Sequence, residues 1–222
     1  MDVYDAMRTT FAAREFTDDP VDDATLYRIL DNARFGPSGG NRQGWRVIVI
    51  RDSAKRTALV DLIRPTMQRY VAQVTAGENP WNTIVPTKVD AAAIAATPLP
   101  PGMIERIVRA PVLLLVAVDL RVVASFDSSL PRVGVISGAS IYPFVWNILL
   151  AARNEGLGGT LTTFVAPAEA EVRRIFALPD HYAVSALLPI GKPVKQLTKL
   201  KRKRVEEFTT VDAYTGPPLG KR

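Results

Sequence analysis

The chain has no cysteine and a single histidine, His181, in 222 residues. Without thiols there are no disulfides, no thiolate nucleophile, no iron–sulfur cluster and no Cys zinc site. One histidine rules out a His-cluster metal site, and a Ser-His-Asp arrangement would have to use it. It sits in a Pro-Asp-His-Tyr turn where a strand pattern begins, which reads as a surface turn residue. No run of about 18 apolar residues occurs, and the longest strongly apolar stretch, 111–118, is far too short for a bilayer span. The amino terminus, MDVYDAM, is acidic and mixed, unlike a signal or transit segment. A cytoplasmic location without membrane contact is therefore expected. With side-chain chemistry so restricted, an enzyme of this composition would leave the hard step to a bound cofactor.

Acidic residues are also missing from one place. Between Lys192 and Arg204 stand seven basic residues and no acid. They account for the net charge of +6, since the remaining chain carries 21 basic against 22 acidic side chains. Three readings stay open for this segment: a solvated basic stretch, a nucleic-acid patch and a phosphate clamp. No aromatic residues interleave with it, which disfavours single-strand nucleic-acid binding.

Periodicity gives a mixed α and β chain forming one domain over 1–222. Helices are expected at 2–8, at 22–35 (Leu26, Ile29, Leu30 and Ala33 on one face), at 53–74 with Pro65 interrupting, at 134–155 and at 167–176. The 134–155 segment is apolar almost all round, so it should lie in a core or between subunits, with Tyr142, Phe144 and Trp146 packed inside. Strands are expected at 45–51, 111–119 and 182–190. The stretch 76–102, with five prolines, reads as an irregular lid-like insert.

Two glycine-rich loops carry the candidate chemistry. The first, GPSGGNRQG at 36–44, places four glycines between a helix and a strand. Glycine lets backbone approach a ligand closely, although an ordinary helix-to-strand turn has the same look. The second, GLGGTLTT at 156–163, is not GxGxxG and follows a helix, which argues against a Rossmann site.

The whole arrangement resembles the nitroreductase family. Four blocks carry the resemblance in family order: Arg14-Glu15-Phe16, ILDNARFGPSGGNRQGWRVIVI at 29–50, NILLAARNEGLGGTLTT at 147–163, and LPDHYAVSALLPIGKP at 178–193 with a basic Arg-x-Arg downstream. The resemblance implies an α+β fold with a central, mostly antiparallel sheet flanked by helices in an intertwined homodimer. It also implies bound FMN, NAD(P)H as transient co-substrate, and a ping-pong reaction on a small electron-poor acceptor such as a nitroaromatic or quinone. Ene reduction, dehalogenation and a non-catalytic flavin-holding or basic interaction protein are the alternatives.

Residue by residue, the resemblance assigns the FMN phosphate to Arg14, Arg202 and Arg204. The first loop contributes Pro37, Ser38, Gly39, Asn41 and Gln43 from the second subunit. Leu161, Thr162 and Thr163 pack on one flavin face, and the Thr163 backbone N–H donates to N5. Two departures stand out. Phe11 takes the place of an arginine common three positions before Arg14, with Arg8 one turn earlier. Leu161-Thr162-Thr163-Phe164 replaces a Pro-x-Glu-Gly pattern, which leaves a backbone donor but no side-chain role there.

Overall fold

The computed structural model describes residues 1–220. The fold is α+β. Its framework is a four-stranded antiparallel sheet of β1 (Trp45–Val49), β2 (Val112–Asp119), β3 (Gly158–Gly159) and β4 (Tyr182–Gly191), in the order β1-β2-β4-β3. All eight residues of β2 are buried, as is β4 from Val184 onward. This explains why neither strand alternates in sequence: a strand covered on both faces needs apolar side chains on both.

The two faces are covered by different helices. On one, Val112, Leu114, Val116 and Val118 of β2 meet α2 (Asp23–Ala33) and α6 (Tyr142–Asn154), through Leu26, Ile29, Ala33, Phe144, Val145, Ile148 and Ala152. On the other, Leu113 and Leu115 meet α3 (Ser53–Thr75), α5 (Glu105–Val108) and α7 (Glu169–Phe176), through Leu59, Ile63, Met67, Ile107, Val172 and Phe176. The register slips once, where Val116 pairs with Ala186 but Ala117 with Val184, leaving Ser185 as an extra residue. Such a bulge keeps facing side chains on the same side after the slip. The remaining helices are α1 (Val3–Thr9) and α4 (Ala91–Ala96).

Local chemistry sets the helix limits. The Asp22 carboxylate accepts from the Thr25 N–H at 2.6 Å and the Asp52 carboxylate from the Lys55 N–H at 2.9 Å, capping α2 and α3. Helix α6 ends as the glycines suggest. Gly156 takes φ +79°, its N–H donates to Arg153 O, and the Leu157 N–H donates to Ala152 O, which is a Schellman stop.

Three expectations are corrected. Helix α3 runs unbroken through Pro65. Proline leaves the carbonyl of Asp61 without its intrahelical donor, and exposed Asp61 can turn that carbonyl to water while Ile63, Thr66 and Met67 hold the opposite side in the core. Helix α6 starts only at Tyr142, with Pro143 in its first turn, and a 3-10 turn at Ile136–Ser140 precedes it. Of the three aromatics assigned to its buried face, only Phe144 is buried, stacked on Trp45 at 4.5 Å. Tyr142 and Trp146 are 41% and 43% exposed. A period of 3.6 cannot be read from a helix so uniformly apolar, so its outward face was not legible.

Gly36 passes directly over α6. A Cβ there would lie 2.7 Å from the Phe144 Cα and 2.8 Å from its N, both backbone atoms that cannot rotate away. Gly36→Ala is expected to destabilise the fold by about 1–3 kcal/mol, measured as a lower urea midpoint at unchanged m.

Candidate functional site

A cavity of about 340 Å³ opens on the α3, α5 and α7 side of the sheet. That is enough for a small organic ligand, whose pockets run about 300–1,000 Å³. Its wall is apolar and aromatic, built from Met67 and Tyr70 of α3, Met103 and Ile107 before and within α5, and Phe164. The Tyr70 and Phe164 rings meet edge to face, 6.1 Å apart. Two arginines, Arg14 and Arg106, also line it.

Arg14 is held there by backbone pairing on both sides. The Ala13 N–H donates to Gly159 O (3.1 Å), the Thr17 N–H to Lys192 O (2.9 Å), and the Val194 N–H to Glu15 O (3.1 Å). Thr160 and Thr162 complete the cavity from a short extended run after β3. The Thr160 N–H donates to Pro189 O and the Thr162 N–H to Leu187 O, so alternate amides bond β4. By strand geometry the Leu161 and Thr163 amides point away from β4, and neither has an acceptor among the described residues. The Leu161 side chain packs into the α6-side core, and Thr163 is exposed.

The first glycine-rich loop lies elsewhere. Pro37, Ser38, Gly39, Asn41 and Gln43 do not line the cavity. The loop rides on the α6 side, where the Gly39 N–H reaches Ser140 Oγ at 3.3 Å. It is internally bonded, with the Gln43 N–H on Ser38 Oγ (3.0 Å) and Gln43 Nε2 on Asn41 Oδ1 (3.1 Å). Asn41 and Gln43 take φ of +53° and +50°, beside Gly40 at +60°. Two non-glycine residues so close together in this region store backbone strain, which structures keep mainly at functional positions.

Arg202 and Arg204 are exposed and also outside the cavity lining. The Arg202 Nη1 donates to the carbonyl of the preceding residue, Lys201, and the Arg204 N–H donates to Glu207 Oε2. His181 stands apart from the cavity, 4.0 Å from Asp119 Oδ2. The 76–102 stretch is more ordered than its prolines suggest and contains α4. Gln73 accepts the Trp81 N–H (3.1 Å), the Glu78 carboxylate accepts from Thr87 Oγ1 (2.6 Å) and Lys88 N (2.7 Å), and Arg69 stacks 4.2 Å over Trp81. The Thr87 hydroxyl, foremost among these donors, holds the Glu78 pKa below its ordinary value.

Residues 7–192 match the nitroreductase family over most of the chain. The chain belongs to the nitroreductase family. It is 28% identical to a nitrobenzene nitroreductase of Ectopseudomonas oleovorans, over 94% of this chain and 96% of that one. Two solved structures share the fold. One is an FMN and NADPH-dependent nitroreductase from Sphigopyxis sp. strain HMH (TM-score 0.63, 22% identity, 96% of this chain and 100% of that one). The other is iodotyrosine deiodinase bound to FMN and 3-iodo-L-tyrosine (TM-score 0.66, 20% identity, 96% and 100%).

For this nitroreductase-family chain, the structure brings Arg14 and Thr162 to one cavity and leaves the Ser38–Gln43 loop on the opposite side of the sheet. Arg106, Tyr70 and Phe164 were not singled out from sequence. Arg106 lies in a four-residue helix too short to show periodicity, and only the basic pair Arg106/Arg109 just before the buried strand hinted at it.

The loop's far end is tied to Asp119, whose N–H donates to Gly44 O at 2.8 Å. Its carboxylate accepts from Arg121 Nη2 (2.7 Å) and the Arg121 N–H (3.0 Å), and the Arg121 side chain is the main cause of its lowered pKa of about 2. The ionised form is therefore favoured by folding. That contribution is complete above the ordinary carboxylate pKa and is lost as pH falls toward 2. Melting temperature should fall with pH between about pH 4 and pH 2, and Asp119→Asn should flatten that slope while lowering the value at pH 7.

Proposed function

We propose that the chain is an FMN-dependent oxidoreductase that works as a homodimer and passes electrons from NAD(P)H to a small electron-poor acceptor. The observation that carries this reading is one cavity with an apolar and aromatic wall, two arginines and, beside it, an extended run whose Leu161 and Thr163 amides have no acceptor among the described residues. These features suit FMN, which pairs a flat ring with anionic parts. FMN would supply the redox relay, taking a hydride from the nicotinamide and handing the electrons on in a ping-pong sequence.

The protein's part is binding, orientation and electrostatics. Met67, Met103, Ile107 and Phe164 would exclude water from the ring and fix its plane. Arg14 and Arg106 would stabilise negative charge, which guanidinium groups do without any proton transfer. The Thr163 N–H would donate to the flavin ring, and Arg202 and Arg204 would hold its phosphate. A site needing the cavity and the Ser38–Gln43 loop together would draw the loop from a second chain, because its own lies across the sheet. Exposed Phe35 (72%), Tyr142 and Trp146 on that face are consistent with a covering partner. The 76–102 segment would cover the substrate side.

No side-chain acid or base is required by this scheme. The test is an anaerobic absorbance titration of the purified protein. A yellow protein bleached by NAD(P)H and recoloured by an acceptor is expected, and a colourless protein that binds DNA in a salt-sensitive way would overturn the reading. Arg14→Ala should weaken FMN affinity by about ten- to a hundredfold, as for a charged hydrogen bond. His181→Ala should keep both FMN and turnover, losing far less than the roughly 10²–10⁴-fold of a missing general acid or base.

A further inference from the structure

The two arginines that line the cavity are not equivalent. Arg14 donates Nη1 only to Ala12 O, at 3.3 Å, and pairs with no carboxylate among the described residues. Arg106 pairs with Glu15, Nη1 to Oε1 at 2.8 Å, and its Nε donates to Gly102 O at 3.1 Å. Glu15 follows Arg14 directly, and its own carbonyl is fixed by the Val194 N–H. One rigid segment thus brings a cation to the cavity and, at the next residue, an anion to the cavity's other cation.

We propose that Glu15 tunes the charge of the flavin site: it orients Arg106 and offsets its charge, so that the cavity presents the field of about one guanidinium instead of two. This rests on reading the cavity as the flavin site. Oxidised FMN takes up two electrons and one proton to give a ring carrying one negative charge, so a more positive cavity favours the reduced state. By withholding part of that field, Glu15 keeps the bound flavin at a lower potential and makes it a better donor to the acceptor. The pair is about half exposed, 49% for Arg106 and 63% for Glu15, so solvent screening keeps the effect modest.

The sign of the shift separates charge tuning from mere support of the cavity. If Glu15 only held Arg106 in place, its removal would let the guanidinium swing into water, and the reduced state would lose stabilisation. If Glu15 offsets charge, its removal strengthens the field and the reduced state gains. The experiment is an anaerobic spectroscopic redox titration of FMN-loaded wild type, Glu15→Gln and Glu15→Ala, with FMN dissociation constants measured alongside. Glu15→Gln keeps the shape and an acceptor oxygen for Arg106.

The expected result is a higher midpoint potential in Glu15→Gln. Reduced FMN gains about tenfold over oxidised FMN, which is about 30 mV for a two-electron couple. The shift should shrink as salt rises toward about 1 M, where the screening length falls to about 3 Å. An unchanged potential in Glu15→Gln with FMN still bound, or a lowered one in both variants, overturns the tuning and leaves the oxidoreductase reading intact. A wild-type protein that binds no FMN overturns both.

Discussion

The structure depends on the pairing of β2 with β4, two adjacent antiparallel strands enclosed on both faces. Apart from Asp119 at the end of β2 and Ser185 at the bulge, the buried residues of both strands are apolar on both sides, so helices must cover the sheet twice over. Helices α2 and α6 take one face, and α3, α5 and α7 the other. The chain is therefore divided before any site is formed. The glycine-rich loop leaving α2 sits on the first side, and the cavity built from α3, α5 and the edge strand opens on the second.

That division shapes the candidate site. The strained Ser38–Gln43 loop belongs to the first side, bonded to Ser140 next to α6. The cavity with Arg14, Arg106 and Thr162 belongs to the second. Backbone pairing along the sheet edge fixes Arg14 where it is: Ala12 and Gly159 form a parallel bridge, and Phe16 and Pro193 an antiparallel one. Gly159 has to be glycine at this edge, since a Cβ would lie 2.8 Å from Pro189 O. In the second loop Gly156 thus serves the left-handed helix stop and Gly159 close backbone packing, while the residues after them supply the cavity's polar edge.

Much of this was legible in the sequence, and the rest was hidden for physical reasons. An apolar run at 111–118 marked β2, and a largely apolar one interrupted by Ser185 marked β4, because burial on both faces leaves no alternation to find. Asp22 and Asp52 cap their helices and Gly156 stops one, because caps and left-handed stops need particular residue types. The resemblance to the nitroreductase family held over residues 7–192. The cavity wall was not legible. Tyr70 and Phe164 are far apart in the chain and meet only through α3 packing on the strand edge, and Arg106 lies in a single helical turn without pattern. The outward turn of Tyr142 and Trp146 was hidden by a helix apolar on every side. The side of the sheet on which each loop falls is a property of topology, which no local motif encodes.

The claim that most needs testing is that cavity and loop come together from different chains. Two folded variants decide it: Arg14→Ala/Arg106→Ala, which damages the cavity, and Ser38→Ala/Asn41→Ala, which damages the loop. Each alone should bind FMN poorly. Co-expressed, they should form mixed dimers in which one site is intact, so FMN should return to about a quarter of all sites, as random two-fold pairing requires. If mixed dimers form and no FMN returns, the site lies within one chain and the account is wrong.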